Sequence, residues 1–525
     1  MLKYNILYSA NALCVIIAGI NLRHVDYSRP HYAPCVLTGF SAFNFLCIYH
    51  LGNIIKPNVM KKLLFYIIAL PCLILAVYGC QKEEEVPDGG GSSSDKSVIS
   101  VRKPSAYSFL PGTYSLPYTI DNPREGVQLE LSTTDKWITG LTADKENISF
   151  TLSANNPSKE RKGSISICYE GAEPVKIEIR QKKEDIVPLD KDGITANCYI
   201  VPEAGVYQFP MVKGNSPEPV GDVVSVGVLW ETFGTDAVPE QGDLIQIVLH
   251  EDNMVYFKSA DKFRKGNAVI AARDAGGTIL WSWHIWMTDR PQDQEYLNGA
   301  GTMMDRDLGA TSATPETGGF LGLLYQWGRK DPFPGSSSLE ESIQTKTTAE
   351  WPDPVKSDES TGTIDYSIAN PLTFITCNDS NSDWYYTGNN TVDNTRWKSV
   401  KTIYDPCPSG YRVPDGGKEG IWAKAFGSPN FFNAGGNSGK SYDFSLSGKI
   451  EHKLTGGSYR CWYFTTGSLN GSGVLEKTGE EGIYWSCSAE TAQIYAFTLT
   501  EVGTIRPAAK SSDLSYANPV RCMKE

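Results

Sequence analysis

The densest collection of groups able to hold a ligand lies between Asn378 and Trp397. Trp384, Tyr385, Tyr386 and Trp397 could stack on sugar rings, and Asn378, Asp379, Asn389 and Asn390 could supply the hydrogen bonds that orient them, the mix that ligand sites use. The run also reads as a long Gly/Asn-rich loop packing its own aromatics, and the sequence leaves both readings open. Asp305-Arg306-Asp307 is a second concentration of charge. Buried charges survive only when paired, so this triplet reads as a structural ion network. His284 stands in Ile279–Met287, where bulky residues fall on both faces of an extended strand. It is expected to be a satisfied, buried imidazole rather than a catalytic base.

Catalysis would need a nucleophile with its base, or a carboxylate pair at a defined separation. The chain contains no GxSxG, HExxH, phosphate loop or glycine-rich dinucleotide fingerprint. Beyond Cys80 there are three histidines (His250, His284, His452) and seven cysteines without a CxxC spacing, a poor supply for zinc. The expectation is a non-catalytic protein: no catalytic residue, no metal and no cofactor. Carboxylates are plentiful, so a glycan-processing enzyme stays open as an alternative.

Composition narrows the partners. Six of the 48 basic and one of the 60 acidic residues precede Cys80, which leaves the remainder at a formal −17. That balance argues against nucleic acid or an anionic membrane surface as partner. The 445 residues after Cys80 suffice for two to four domains of about 100–200 residues each. From 98 to 183 short alternating runs are broken by Gly, Pro, Asn and Asp, as a β-sandwich requires. Ile165, Ile167 and Tyr169 share one strand face and Val175, Ile177 and Ile179 the next, with the turn at Glu170–Pro174. A second β-rich block over 189–294 has strands expected at Cys198–Val201, Val223–Trp230, Leu244–Leu249, Asn267–Ala272 and Thr278–Met287. Residues 295–525 form the third block, with a helix expected over Lys418–Ala425.

Two stretches carry family resemblances. Trp137-Ile138, Ile148-Ser149-Phe150, Asn155-Asn156, Arg161-Lys162-Gly163-Ser164-Ile165 and Ile177–Gln181 resemble a BACON domain, a small Ig-like module proposed to bind carbohydrate. Trp137 is nonetheless expected to be a core residue rather than a sugar platform. Met304–Ala310, Tyr325-Gln326-Trp327-Gly328, Cys407–Pro414, Tyr484–Ser488 and Val520-Arg521-Cys522 resemble the Fibrobacter-type major paralogous (FISUMP) domain. Its pattern runs MDRNLGA, YQWG, CPxGWRVP, YWSS and VRC; Asp307, Tyr411 and Cys487 depart from it. That resemblance implies an α+β, C-type lectin-like layout in which Cys407 bonds Cys522. The calcium-binding Glu-Pro-Asn, Gln-Pro-Asp and Trp-Asn-Asp motifs of sugar-holding lectins are missing from the block. The fold class expected for the whole is mainly β and multidomain: an Ig-like sandwich, a second β-rich domain and the lectin-like domain.

The N-terminal region resembles a bacterial lipoprotein signal over 60–80. Lys61 and Lys62 precede an apolar run, and Leu75-Ala76-Val77-Tyr78-Gly79-Cys80 forms a lipobox ending in the residue to be lipidated, Cys80. Residues 1–59 are expected to be an upstream extension from a mis-assigned start, or alternatively a pair of membrane helices. Residues 81–97 would be a tether, with Glu83-Glu84-Glu85 resembling the acidic surface-export tag of Bacteroidota lipoproteins. Together these imply an outer-membrane, surface-exposed lipoprotein that binds a glycan or a host or partner ligand in an adhesin-type role. A fimbria- or pilus-associated subunit that contacts other surface proteins is the structural alternative.

Overall fold

The computed structural model describes residues 96–315, 317–378, 381–433, 441–443 and 461–525, with 441–443 described by backbone alone. The expectations for 1–95, Cys80 among them, and for Asp379 lie outside the described residues. What is described is mainly β, folded into several sheets over three successive blocks.

The first block is a sandwich of β1 (Val98–Val101), β2 (Gly112–Asp121), β3 (Glu130–Ser132), β4 (Ile138–Ala143), β5 (Asn147–Leu152), β6 (Arg161–Cys168) and β7 (Val175–Gln181). One sheet runs β1-β2-β5-β4 and the other β3-β6-β7. The β6/β7 hairpin pairs Ile165 with Ile177, so period-2 alternation sends one face of each strand into a core shared with Ile148, Phe150 and Leu152 of β5.

The second block contains β8 (Ile186–Pro188), β9 (Cys198–Val201), β10 (Val206–Pro210), β11 (Ser225–Thr232), β12 (Ile245–Glu251), β13 (Met254–Ser259), β14 (Gly266–Arg273) and β15 (Ile279–Met287). Its sheets run β12-β13-β10-β8 and β11-β14-β15-β9, and β8 and β9 pair in parallel with β10 and β15. Three strands of this block escaped the sequence reading: β8, which precedes the expected boundary at 189, β10 and β13. β10 is only five residues long, and Val255, Tyr256 and Phe257 of β13 are all buried, so neither shows the alternation that marks a half-exposed strand.

On β15, Trp281, Trp283, Ile285 and Met287 face the block's own core, while Trp286 faces a different cluster. Leu280 departs from strict alternation. Ala272 pairs with Trp281 and Arg273 with Ile279, so Leu280 is the extra residue of a β-bulge and joins the first cluster.

The third block pairs β16 (Asp293–Tyr296) and β17 (Gly301–Met304) with Met523–Lys524 and Tyr411–Arg412. A second sheet joins β18 (Leu323–Gln326) to Phe333–Pro334, Ala517–Pro519, Ser468–Leu469 and Leu475–Glu476. A third joins Phe432–Asn433, Thr504–Ser511, Gln493–Thr500 and Glu481–Glu490. The expected helix starts later than Lys418, at Ile421, and ends at Phe426. Gly420 is its N-cap, and left-handed Gly427 (φ 70°) closes it by donating to Ala423 and Lys424 carbonyls. Another short helix, Ile364–Ala369, is capped by Thr363, whose side chain accepts from Tyr366 N–H.

The second and third blocks share a core. Cys198, Trp230, Val269 and Trp286 from the one pack with Leu308, Tyr325, Trp327, Trp485 and Val520 from the other. Asn197 Nδ2 also donates to the carbonyls of Ile403 (2.7 Å) and Asp405 (2.9 Å). The division drawn at 294/295 is therefore no break in packing.

Candidate functional site

The motif blocks of the third block bond to one another and to the neighbouring backbone. Trp327 Nε1 donates to Ser486 O and Trp485 Nε1 to Tyr325 O, both at 2.9 Å. Gln326 Nε2 bridges Ile375 O (2.7 Å) and Ser515 O (2.6 Å). Cys407 and Cys522 form a disulfide across a sequence separation of 115. Gly309 has φ +87°, and a Cβ there would lie 2.5 Å from Leu323 Cγ, so this motif glycine serves a close approach. These residues are architecture, which leaves them little freedom to meet a ligand.

The triplet Asp305-Arg306-Asp307 is buried and paired, as the ion-network reading requires. Arg306 Nε donates to Asp305 Oδ1 (2.8 Å) and Nη2 to Asp289 Oδ2 (2.9 Å). Asp307 meets Arg521, whose Nε donates to Oδ1 at 2.8 Å and whose guanidinium lies 3.8 Å from the Tyr463 ring centroid. His284 is buried and, by burial alone, held neutral with its pKa down to about 3. Asn267 Nδ2 donates to Gly309 O, which leaves Asn267 Oδ1 to accept from His284 Nε2 at 2.9 Å. The imidazole is only half satisfied, however, since Nδ1 has no hydrogen-bond partner among the described residues.

The Asn378–Trp397 run divides between the two readings, burying its two tryptophans and leaving its two tyrosines half-buried. Trp384 and Trp397 are both 0% exposed, so neither ring is offered to a sugar. Their indoles donate inward, Trp384 to Trp327 O (2.8 Å) and Trp397 to Tyr404 O (2.9 Å). Asn378 is buried too, its Nδ2 donating to Asn381 Oδ1 and Asp383 O. Asn389 is exposed, but its Oδ1 accepts from Thr391 N–H and Oγ1 within a local turn. Tyr385 and Tyr386 are half-buried and Asn390 is exposed, and these three keep surface to offer.

The loop is held from beneath by Arg396, which is buried and forks onto Asp383. Its guanidinium lies 4.7 Å from the Trp327 ring and 4.8 Å from the Trp384 ring. Burial pushes the Asp383 carboxyl up while Arg396 pulls it down. Gly328 (φ +85°) makes room: a Cβ there would sit 2.6 Å from Arg396 Cβ. Trp137 of the sandwich is partly buried against the core, packed on Gly163, where a Cβ would come within 2.6 Å of Trp137 Cζ2, and beneath Arg161 at 4.3 Å.

A site that the sequence did not indicate lies where the second and third blocks meet. A cleft of about 510 Å³ is lined by residues of β8, β9 and β10, by Arg290 and by Pro408, Ser409 and Tyr411. Tyr207 in its floor donates to Glu203 O at 2.7 Å, and Tyr411 donates to Asp293. Asp190, Lys191, Asp192, Glu203 and Arg290 line it without ion-pair partners among the described residues. Asp192 occupies the left-handed region at φ 57°. Residues so scattered along the chain give no local pattern; Cys198–Val201, Met304–Ala310 and Cys407–Pro414 were each singled out in the sequence, but nothing there joins them into one cleft.

No family model and no curated protein matches the chain. Among solved structures it is similar to a GH5 xyloglucanase from Bacteroides ovatus in complex with an XXXG heptasaccharide, at 15% identity over 20% of this chain and 27% of that one, TM-score 0.15. An endo-fucoidan hydrolase of glycoside hydrolase family 107 matches at 12% identity over 39% and 30% of the two chains, TM-score 0.16. A tandem of titin Ig domains matches at 10% identity over 37% and 98%, TM-score 0.15. The chain thus spans under a third of either hydrolase, and likenesses this slight carry no argument.

Proposed function

We propose that this chain is a surface lipoprotein, anchored through Cys80, whose C-type lectin-like third block holds a glycan or a host or partner ligand without transforming it. The observation that carries this reading is the anchoring of the Asn378–Trp397 loop. Trp384, Trp397 and the Arg396–Asp383 pair fix it from below, while Tyr385, Tyr386 and Asn390 stay accessible above. A rigid base under partly exposed tyrosines lowers the ordering entropy that binding must offset. The BACON-like sandwich and the second block then serve as the stalk.

The full-length chain, applied to a glycan array, is expected to give a saturable signal that a Tyr385→Ala/Tyr386→Ala double variant loses while melting at the same temperature. An unchanged array profile in that variant would remove the loop from the reading. Mass spectrometry of the mature N-terminus is expected to find lipid on Cys80; a peptide mapping to residues 1–59 would refute the assigned start.

A further inference from the structure

The two sheets of the second block end side by side in the 510 Å³ cleft, one on β8 and the other on β9, and the two edges are treated differently. His284 N–H donates to Asn197 O at 2.8 Å and Thr288 N–H to Val201 O at 3.0 Å. These bonds set the phase of the parallel ladder: odd-numbered residues of β9 bond to β15, while Cys198 and Ile200 turn their N–H and C=O to the open side. Cys198 is bridged to Pro408. The chain then turns away, Tyr411 N–H closing back onto Pro408 O at 3.1 Å. Ile200 is left with a backbone donor and acceptor facing the cleft and no bond to a described residue on that side. On the other edge Leu189 N–H donates to Gln208 O at 2.9 Å, so Pro188 faces outward, and it has no N–H to offer.

Sheets blunt or cover their edges because unpaired backbone groups recruit other strands. Here one edge is blunted by Pro188 and half of the other is covered by Pro408. The remaining half stays open inside a concavity. We propose that this cleft takes an extended peptide of a partner protein, which adds to β9 as a short strand through the N–H and C=O of Ile200. Alternate side chains of the peptide then point toward Tyr411 and the cleft floor or to solvent. An acidic one meets Arg290, whose guanidinium has no acceptor among the described residues. A saccharide fits less well, because Tyr199 and Tyr207 are only 3% and 2% exposed and present no ring face for stacking. The site is separate from the Tyr385–Tyr386 surface and gives the subunit reading its own footing.

The test uses twenty blocked, fluorescent heptapeptides of sequence Thr-Val-Thr-X-Thr-Val-Thr, X being each amino acid, titrated against the full-length chain by anisotropy. Saturable binding is expected, tightest with X acidic, and weakened about tenfold when the amide that pairs with Ile200 is N-methylated. The exposed variant Arg290→Gln should bind all members alike, abolishing the acidic preference while leaving the methylation effect. The proposal is overturned if no member saturates, if methylation at every position is without effect, or if a xyloglucan oligosaccharide displaces the bound peptide.

Discussion

At the scale of single residues, the third block concentrates its risk in buried charge. Burial pulls the Arg521 guanidinium down and Asp307 beside it pulls it well up, and the pair is 0% exposed. Replacing such a pair by apolar residues is often neutral, whereas removing one partner strands a charge and costs about 3–5 kcal/mol. Arg521→Met should therefore destabilise by that amount in denaturant unfolding, and Asp307→Leu/Arg521→Met should recover most of it. Equal losses in the single and double variants would show that the pair acts by packing alone. Asp289 makes the opposite case at the surface. Partial burial pushes its carboxyl up, but Arg306 and Lys265 hold it down to about 2. A depressed carboxylate contributes stability above its unfolded value of about 3.9 and loses it as pH falls through the folded value. The deficit of Asp289→Asn, about 1 kcal/mol or less after solvent screening at a half-exposed site, should be present at pH 6 and vanish between about pH 4 and pH 2. A deficit independent of pH would mean that the Asp289 pairs contribute nothing through charge.

At the scale of elements, the disulfide ties the last strand to the body. Met523–Lys524 pairs with β17 and with Tyr411–Arg412, and Cys522 just before it bonds Cys407. Closing a loop of this length stabilises by about 2–5 kcal/mol in the chain-entropy view. Cys522→Ser is expected to lose that much in denaturant unfolding, and hydrogen exchange should quicken first at Met523 and Met303; free thiols at both cysteines in oxidised wild-type protein would dismiss the bond. The elements themselves were unevenly legible. The β6/β7 hairpin was readable because one face is wet and the other dry, which writes a period of two into Ile165–Tyr169 and Val175–Ile179. β13 was not, because burial on both faces erases that period. The motif blocks were recognisable as blocks, yet their role was not, since Trp327 meets Ser486 only after folding brings residues 159 apart in sequence together. An aromatic loop that displays its rings and one that buries them have the same composition, which is why the sequence left both readings open for Trp384 and Trp397. The cleft was illegible for a plainer reason: Ile200 matters through its backbone, which every residue shares.

At the scale of the whole molecule, cores and not motif boundaries define what unfolds together. The sandwich core draws on no residue beyond Ile179, and its described side-chain ties to the second block are exposed: Asn156 and Lys159 onto Glu251, and Lys159 onto Asp252. Exposed ion pairs of this kind transmit little cooperativity. Between the second and third blocks the situation is reversed. Trp230 and Trp286 lie in one cluster with Trp327 and Trp485, and Trp286 Nε1 donates across to Ala310 O at 3.0 Å. Loosening either block would open that cluster to water, and truncating one large buried side chain costs about 3–5 kcal/mol. Calorimetry of the full chain should therefore resolve two transitions in the described region. The smaller should carry an enthalpy near 60 kcal/mol, from about 85 residues at roughly 0.7 kcal/mol each. The larger should cover the second and third blocks as one. Trp286→Ala should lower the larger transition as a unit and leave the smaller in place, because Trp286 belongs to the shared cluster and to no contact with the sandwich. Three transitions, with Trp286→Ala moving only one of the two larger ones, would mean that the shared cluster does not couple the blocks, and that the cleft between them can open without unfolding either.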